Sequence, residues 1–172
     1  MKPSFAISTI NPSVVIGPPA LLPSSPSKLN ETLRPLFDLF SGKAKEIEGP
    51  IGTGSFVDVR DVAFMHVWAY ENPSKSNGER YIACEGFGPL QAASDVLRRQ
   101  YEGTAIASKI AIGKPGEGYI GYNKDTKLVE KVKYPPGKLR VDGGKAGTQM
   151  GFRYITFPQS VIDTAKVLER LI

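Results

Sequence analysis

The chain has 172 residues, 41% apolar and 23% charged, the balance of a globular protein and not of a disordered one. Its single cysteine, Cys84, and single histidine, His66, exclude an internal disulfide, a Cys-rich zinc site and a His cluster. The net charge of +5 points first to nucleic acid, but eight bases and four acids fall within residues 114–145, a Gly- and Pro-rich stretch with few aromatics, and no apolar run reaches the roughly 18 residues of a membrane span.

Along the chain, Lys2 and the apolar stretch to Ala20 have the outline of a secretion signal, but Ser4, Ser8, Thr9, Asn11 and Pro12 interrupt it. Residues 4–10 read instead as a short buried strand ended by Asn11-Pro12. Residues 14–16 lead into the rigid turn Gly17-Pro18-Pro19. Leu29, Leu33, Leu36, Phe37 and Phe40 follow at helical spacing, with Pro35 kinking the helix or delaying its start and Gly42 ending it. After a Gly-rich loop, residues 56–59 form a strand, and Asp61 caps a helix that ends at Asn72-Pro73. That helix is apolar nearly all round, so burial on all sides is expected. Residues 80–85 read as a buried strand, and Pro89 opens a helix with Leu90, Ala93, Val96, Leu97 and Tyr101 on one face. Residues 104–151 read mostly as loop, mobile and solvated where the bases cluster. A brief strand at 152–155 precedes a capping box, Thr156-x-x-Gln159, and a last helix with Val161, Ile162, Ala165, Leu168 and Ile172 inward. Strands alternating with helices indicate an α/β fold.

Two motifs match only literally. Gly116-x-Gly118-x-x-Gly121 lacks the preceding strand and following helix that would aim backbone N–H groups at a pyrophosphate. Tyr134-x-x-x-Lys138 encloses Pro135, Pro136 and Gly137, which cannot be helical, so the two side chains do not share a helix face. His66 reads as a packed polar residue and Cys84 as a small buried hydrophobe. No nucleophile elbow, P-loop or H-E-x-x-H motif is present.

Longer segments carry a resemblance. Thr9-Ile10-Asn11-Pro12-Ser13-Val14-Val15-Ile16-Gly17-Pro18 resembles the T-x-N-P-x-x-V-x-G-P segment of extended short-chain dehydrogenases/reductases. Phe56-Val57-Asp58-Val59-Arg60-Asp61-Val62-Ala63, with His66 after it, resembles that family's F-V-D-V-R-D-V-A segment, and Arg80-Tyr81-Ile82 its next strand. Gly113-Lys114-Pro115-Gly116-x-Gly118, Val141-Asp142-x-x-Lys145, Gly151-Phe152 and Asp163-Thr164 follow in the family's order. The nearest resemblance is to fungal NADPH-dependent aldehyde/ketone reductases of the methylglyoxal type and to plant dihydroflavonol and cinnamoyl reductases. Residues 122–138 depart from the family pattern.

The resemblance implies the C-terminal part of a Rossmann-type α/β reductase: its last parallel strands plus a substrate-binding lobe. Residues 1–19 would hold the last cofactor-facing strand and nicotinamide loop, and residues 20–172 the substrate lobe, with a terminal Rossmann strand and helix near 78–102 and a long loop at 104–151. The implied cofactor is NADP(H), with NAD(H) left open. Pro12, Ser13, Val14 and Val15 would line the nicotinamide, Thr32 would lie near the phosphates, and Val14, Ile16 and Pro18 would face the substrate. Asp58, Arg60 and Asp61 read as a helix cap and ion pairs. The family's Gly-rich turn and Tyr-x-x-x-Lys helix are not in this stretch, so no catalytic or metal-binding residue is assigned, and the chain is expected to be an inactive or partial form acting on a small carbonyl in the cytoplasm. The alternative is a non-catalytic fragment that pairs with a full-length relative, its first strand lying on an open edge that invites self-association. Neither nucleic acid nor membrane is an expected partner.

Overall fold

The structure, a computed structural model, describes residues 5–47 and 49–172; the first residue of the strand expected at 4–10 lies outside them, as does the start of the signal-like stretch. In chain order the elements are β1 (Thr9–Pro12), β2 (Val14–Ile16), α1 (Arg34–Phe40), β3 (Pro50–Asp58), α2 (Val59–Glu71), α3 (Pro73–Ser76), β4 (Arg80–Ala83) and β5 (Gly86–Pro89). They continue with α4 (Leu90–Gln100), α5 (Ala105–Lys109), β6 (Ile120–Tyr122), β7 (Val129–Lys133), α6 (Gly144–Met150) and α7 (Phe157–Leu168).

β1 and β4 pair in parallel, Thr9 opposite Arg80 and Pro12 opposite Ala83. The first strand therefore starts later than expected and includes Pro12. The Thr9 and Ser13 N–H groups donate to Glu79 and Ala83, each at 3.0 Å. By strand alternation Pro12 faces the other edge, where its missing N–H breaks no ladder bond.

One residue later the chain changes partner. β2 pairs in parallel with the end of β3, Val14 opposite Phe56 and Ile16 opposite Asp58, while β5 closes antiparallel on β3. Cys84 and Glu85 make the matching switch between β4 and β5, and the Glu85 N–H donates to the Phe56 carbonyl at 3.0 Å. Two neighbouring parallel strands thus leave one sheet for another at the same level.

Two cores flank this switch. Ile16, Phe40, Phe56, Leu97, Phe157 and Leu168 belong to the larger, gathered from α1, α4, α7 and the β2–β3–β5 sheet. Phe56 meets Phe157 edge-on at 4.8 Å between ring centroids. Full burial of each such side chain stabilises by about 1.5–3 kcal/mol. Val57, Met65, Tyr81, Ala83, Ala146 and Met150 form the smaller core between the β1–β4 pair and helices α2 and α6. Along β2 the alternation is plain: Val14 and Ile16 pack on the first core and Val15 on the second.

Several expectations need correction. β3 reaches back to Pro50 through residues that read as loop. The strand ends at Asp58, one residue short of the expected 59, and the helix starts at once, so Asp58 caps α2, its carboxylate accepting the Arg60 N–H at 2.8 Å; Asp61 lies in the first turn. α2 is not buried all round. Only one face meets β1–β4 and α6, leaving Val67 55% and Tyr70 87% exposed, with Ala63, Phe64 and His66 exposed as well. Residues 104–151 contain α5, the β6–β7 hairpin and α6, with Tyr119, Val129 and Val132 buried. Residues 152–155 form no strand, and Ile172 is exposed beyond the last helix. α1 starts late, with Pro35 in its first turn. No helix among the described residues is long and apolar enough to cross a membrane.

Candidate functional site

The strand switch gathers polar groups from four separate segments. Ser13 spends both its N–H and its hydroxyl on the Ala83 carbonyl, at 3.0 and 3.2 Å, which locks the bend between β1 and β2. Tyr134, just beyond β7, donates from its hydroxyl to the Gly86 carbonyl at 3.2 Å and lies 2.8 Å from the Ser55 hydroxyl. Its ring stacks at a tilt on Phe87, 5.0 Å between centroids. The Cys84 thiol, buried, donates to Gly86 at 3.7 Å and sits 4.0 Å from the Tyr134 oxygen. Tyr134 also lines a cleft of about 600 Å³ with Ile47, Phe87, Pro89, Lys138 and Leu139.

Burial governs the electrostatics here. It pushes the Cys84 thiol up, and the Tyr134 hydroxyl too, against the bond from Ser55. Burial also raises Glu85 to about 7, with Lys131 pulling the other way. Thiol and phenol therefore stay neutral near pH 7, which suits hydrogen-bond donation to a neutral oxygen and not nucleophilic attack.

Below the switch, Asp58 ties β3 to α7. Its carboxylate accepts from the Arg60 N–H, Nε and Nη2 at 2.8–2.9 Å and from the Ser160 hydroxyl at 2.6 Å. Arg60 reaches on to Asp163 at 2.9 Å. Burial pushes Asp58 up, but the bonds from Arg60 and Ser160 outweigh it and hold the carboxyl below its usual range. Gly17, at φ +129°, sits against this group; a Cβ there would come within 2.8 Å of Val59 Cγ1 and 3.1 Å of the Asp58 oxygens. Asp61 accepts the Ile155 N–H at 3.0 Å, and burial raises it to about 6.

The residues assigned from sequence fall unevenly. Pro12, exposed, and Ser13, Val14 and Val15, half-buried, form the switch itself. Ile16 is 1% exposed in the larger core and cannot line an open substrate wall, because β2 alternation turns it inward beside Val14. Pro18 is half-buried just past the turn, and Thr32 lies in the turn before α1, its hydroxyl donating to Asn30 at 3.3 Å. His66 is exposed, its Nδ1 2.8 Å from the Val62 carbonyl, so it is no packed core residue.

The glycine-rich stretch at 113–121 runs into β6 with no helix after it, and it is held in place. Buried Asp95 accepts from the Gly116 N–H at 2.8 Å and the Tyr119 hydroxyl at 2.6 Å, and Gln91 accepts the Lys114 N–H at 2.8 Å. Tyr134 and Lys138 are not on a helix. What sequence reasoning missed is Ser55, Glu85 and the role of Tyr134. No local spacing links residues 79 positions apart; only the fold of β7, just before Tyr134, onto β5 does. Among the described residues no group of three or more His, Cys, Asp or Glu side chains is placed to hold a metal.

No protein-family model matches the chain. An oxidoreductase of Saccharomyces cerevisiae is 30% identical over 164 residues, 95% of this chain and 42% of its own length. Cinnamoyl-CoA reductase 1 of Arabidopsis thaliana is 30% identical over 160 residues, 93% of this chain and 38% of its own. The solved yeast methylglyoxal/isovaleraldehyde reductase in complex with NADPH superposes with a TM-score of 0.68 at 25% identity, covering 97% of this chain and 48% of the other. The chain spans less than half the length of these relatives. Over nearly its whole length it is similar to part of fungal methylglyoxal and plant cinnamoyl-CoA reductases, and over 73% of it to a plant dihydroflavonol 4-reductase, with the fold of the extended short-chain reductases.

Proposed function

We propose that the chain supplies the substrate-side part of a cytoplasmic NADPH-dependent aldehyde or ketone reductase. The observation that carries this reading is the strand switch at Ser13. It leaves Pro12 exposed at the carboxyl end of a parallel strand, where ligands of open α/β sheets bind. The segment is the one that resembles the family's nicotinamide wall.

The fit to a nicotinamide is limited but consistent. The Ser13 hydroxyl is spent on Ala83, and Val14 and Val15 pack into the two cores, so the wall presents main chain and the exposed Pro12 ring. Pro12, Ser13, Val14 and Val15 would orient the ring, with Thr32 toward the phosphates. When bound, NADPH supplies the hydride. Pro18 and the cleft beside Tyr134 hold the carbonyl compound, Val14 being turned into the larger core like Ile16. Tyr134, which lines that cleft, is held by Ser55 and Gly86 and keeps its hydroxyl neutral.

Apart from Thr32, the Gly-rich turn that cradles the cofactor phosphates and the Tyr-x-x-x-Lys pair that delivers the proton belong, by the resemblance, to the part of the fold this chain does not span. Purified chain with NADPH and a panel of aliphatic and aromatic aldehydes is therefore expected to show no loss of NADPH absorbance. Turnover by the chain alone would sink the reading.

A further inference from the structure

We propose that the cleft beside Tyr134 selects carbonyl compounds whose ring-sized apolar body ends in a carboxylate, and that Leu139 and Lys138 make the selection. The inference rests on the reductase reading above and names the substrate class of that same site.

The apolar half of the cleft is built on β5. Alternate residues of a strand share a face, so Phe87 and Pro89 stand side by side. The Tyr134 ring extends their surface, tilted 33° against Phe87, and Ile47 lines the same space. Two aromatic rings and a proline suit a flat apolar body, which packs on them by offset or edge contact. The volume of about 600 Å³ is that of a small-molecule site.

The other half is a strap. Residues 135–140 leave Tyr134 and return to it, because the Val141 main chain bonds the same hydroxyl that Ser55 and Gly86 hold. Between these ends Pro135, Pro136 and Gly137, the last at φ +78°, make a turn closed by the Lys138 N–H donating to the Pro135 carbonyl at 3.4 Å. The turn brings Lys138 and Leu139 to the cleft, where Leu139 is 90% exposed. An apolar body seated on Phe87 and Pro89 takes Leu139 out of water, and the strap gives way at its tip while Tyr134 fixes its ends.

The charges at the cleft reduce to one cation. Lys114 and Glu117 line it but pair with each other at 3.1 Å. Lys138 meets no carboxylate among the described residues. Tyr134 borders both the cleft and the strand switch, since its oxygen lies 4.0 Å from the thiol of Cys84, the residue after the Ala83 carbonyl that holds Ser13. A carbonyl group directed toward the switch leaves the far end of the molecule beside the strap, where the ammonium of Lys138 favours a carboxylate. Lys138 falls in the stretch that departs from the family pattern, so the preference comes from this chain's own residues.

The test titrates the purified chain, without NADPH, with three ketones of similar shape, followed by amide chemical shifts in NMR. They are para-acetylbenzoate, the neutral para-nitroacetophenone and the cationic para-acetylphenyltrimethylammonium. The carboxylate is expected to bind about threefold tighter than the neutral ketone, the scale of one solvent-exposed charge contact, with the shifts centred on Phe87, Tyr134 and Leu139. Lys138→Glu reverses the order of the two charged ketones. Leu139→Ser weakens all three alike, and Lys124→Glu in the hairpin changes nothing. Equal affinities for the three ketones, an order that Lys138→Glu leaves intact, shifts centred elsewhere, or no binding by any of them would each overturn the proposal. The titration reads affinity and not turnover. Loss of the expected order therefore sinks the substrate class and leaves the reductase reading standing, whereas NADPH oxidation by the chain alone sinks that reading and leaves the order of affinities intact.

Discussion

Replacing Asp58 with alanine tests whether the switch is held from below. The carboxylate is wholly buried and accepts four hydrogen bonds, three from Arg60 and one from Ser160. Losing the cap on α2 costs about 1 kcal/mol. Leaving the buried Ser160 hydroxyl without its acceptor costs about 1–2 kcal/mol more. Arg60 contributes less, because its side chain is 41% exposed and keeps Asp163 and water. Relief of the buried charge offsets part of the loss, so the net destabilisation is about 2–3 kcal/mol. Urea unfolding followed by circular dichroism measures it, with an unchanged m-value showing that the folded state remains compact. Asp58→Ala in a Ser160→Ala background should cost about 1 kcal/mol less, since the orphaned hydroxyl is gone. A loss under about 1 kcal/mol in the first variant, or strict additivity in the second, would refute the reasoning.

Three further substitutions bear on the same region. Glu85 is raised to about 7 from 4.5, so the folded state binds its proton more tightly than the unfolded chain. The stability this contributes is present below pH 4.5 and is lost as pH rises through about 7. Glu85→Gln should therefore stabilise the chain at pH 8 by about 1–2 kcal/mol relative to its effect at pH 5, after discounting for partial exposure; equal effects at both pH values would contradict the burial argument. Asp61 shifts in the same direction and is present in both proteins, so its own burial cancels in the comparison while its charge remains part of what raises Glu85. Gly143 has an ordinary φ of −98°, yet a Cβ there would fall well inside contact of the Cys84 carbonyl oxygen and 2.9 Å from its nitrogen. Gly143→Ala should cost about 2–3 kcal/mol in urea unfolding by pushing α6 off β4, whereas Gly144→Ala, which meets only the Asp142 side chain at 3.0 Å, should cost markedly less.

The sequence by itself determined the α/β class, a kink or late start of α1 at Pro35, the α7 cap at Thr156 and a strand end near Asn11-Pro12. Each is a local event in which a proline, a capping side chain or a short apolar run acts on its immediate neighbours. It also exposed Gly116-x-Gly118-x-x-Gly121 and Tyr134-x-x-x-Lys138 as coincidences, because the helices those motifs need cannot form there.

Only the tertiary structure decided what those residues meet. Asp58 caps α2 in place of Asp61 because β3, in register with β2 to its last residue, ends at Asp58 and the helix starts at Val59. Ile16 turns inward because β2 borders two cores, and the glycine-rich stretch is fixed because Asp95 and Gln91 reach it from α4. Tyr134 joins Ser55 across 79 residues because the 129–133 strand folds back onto β5. The α2 stripe shows the physical reason most directly. Apolar periodicity records which side chains avoid water, but burial requires a surface to bury them against, and for Val67 and Tyr70 no described residue provides one.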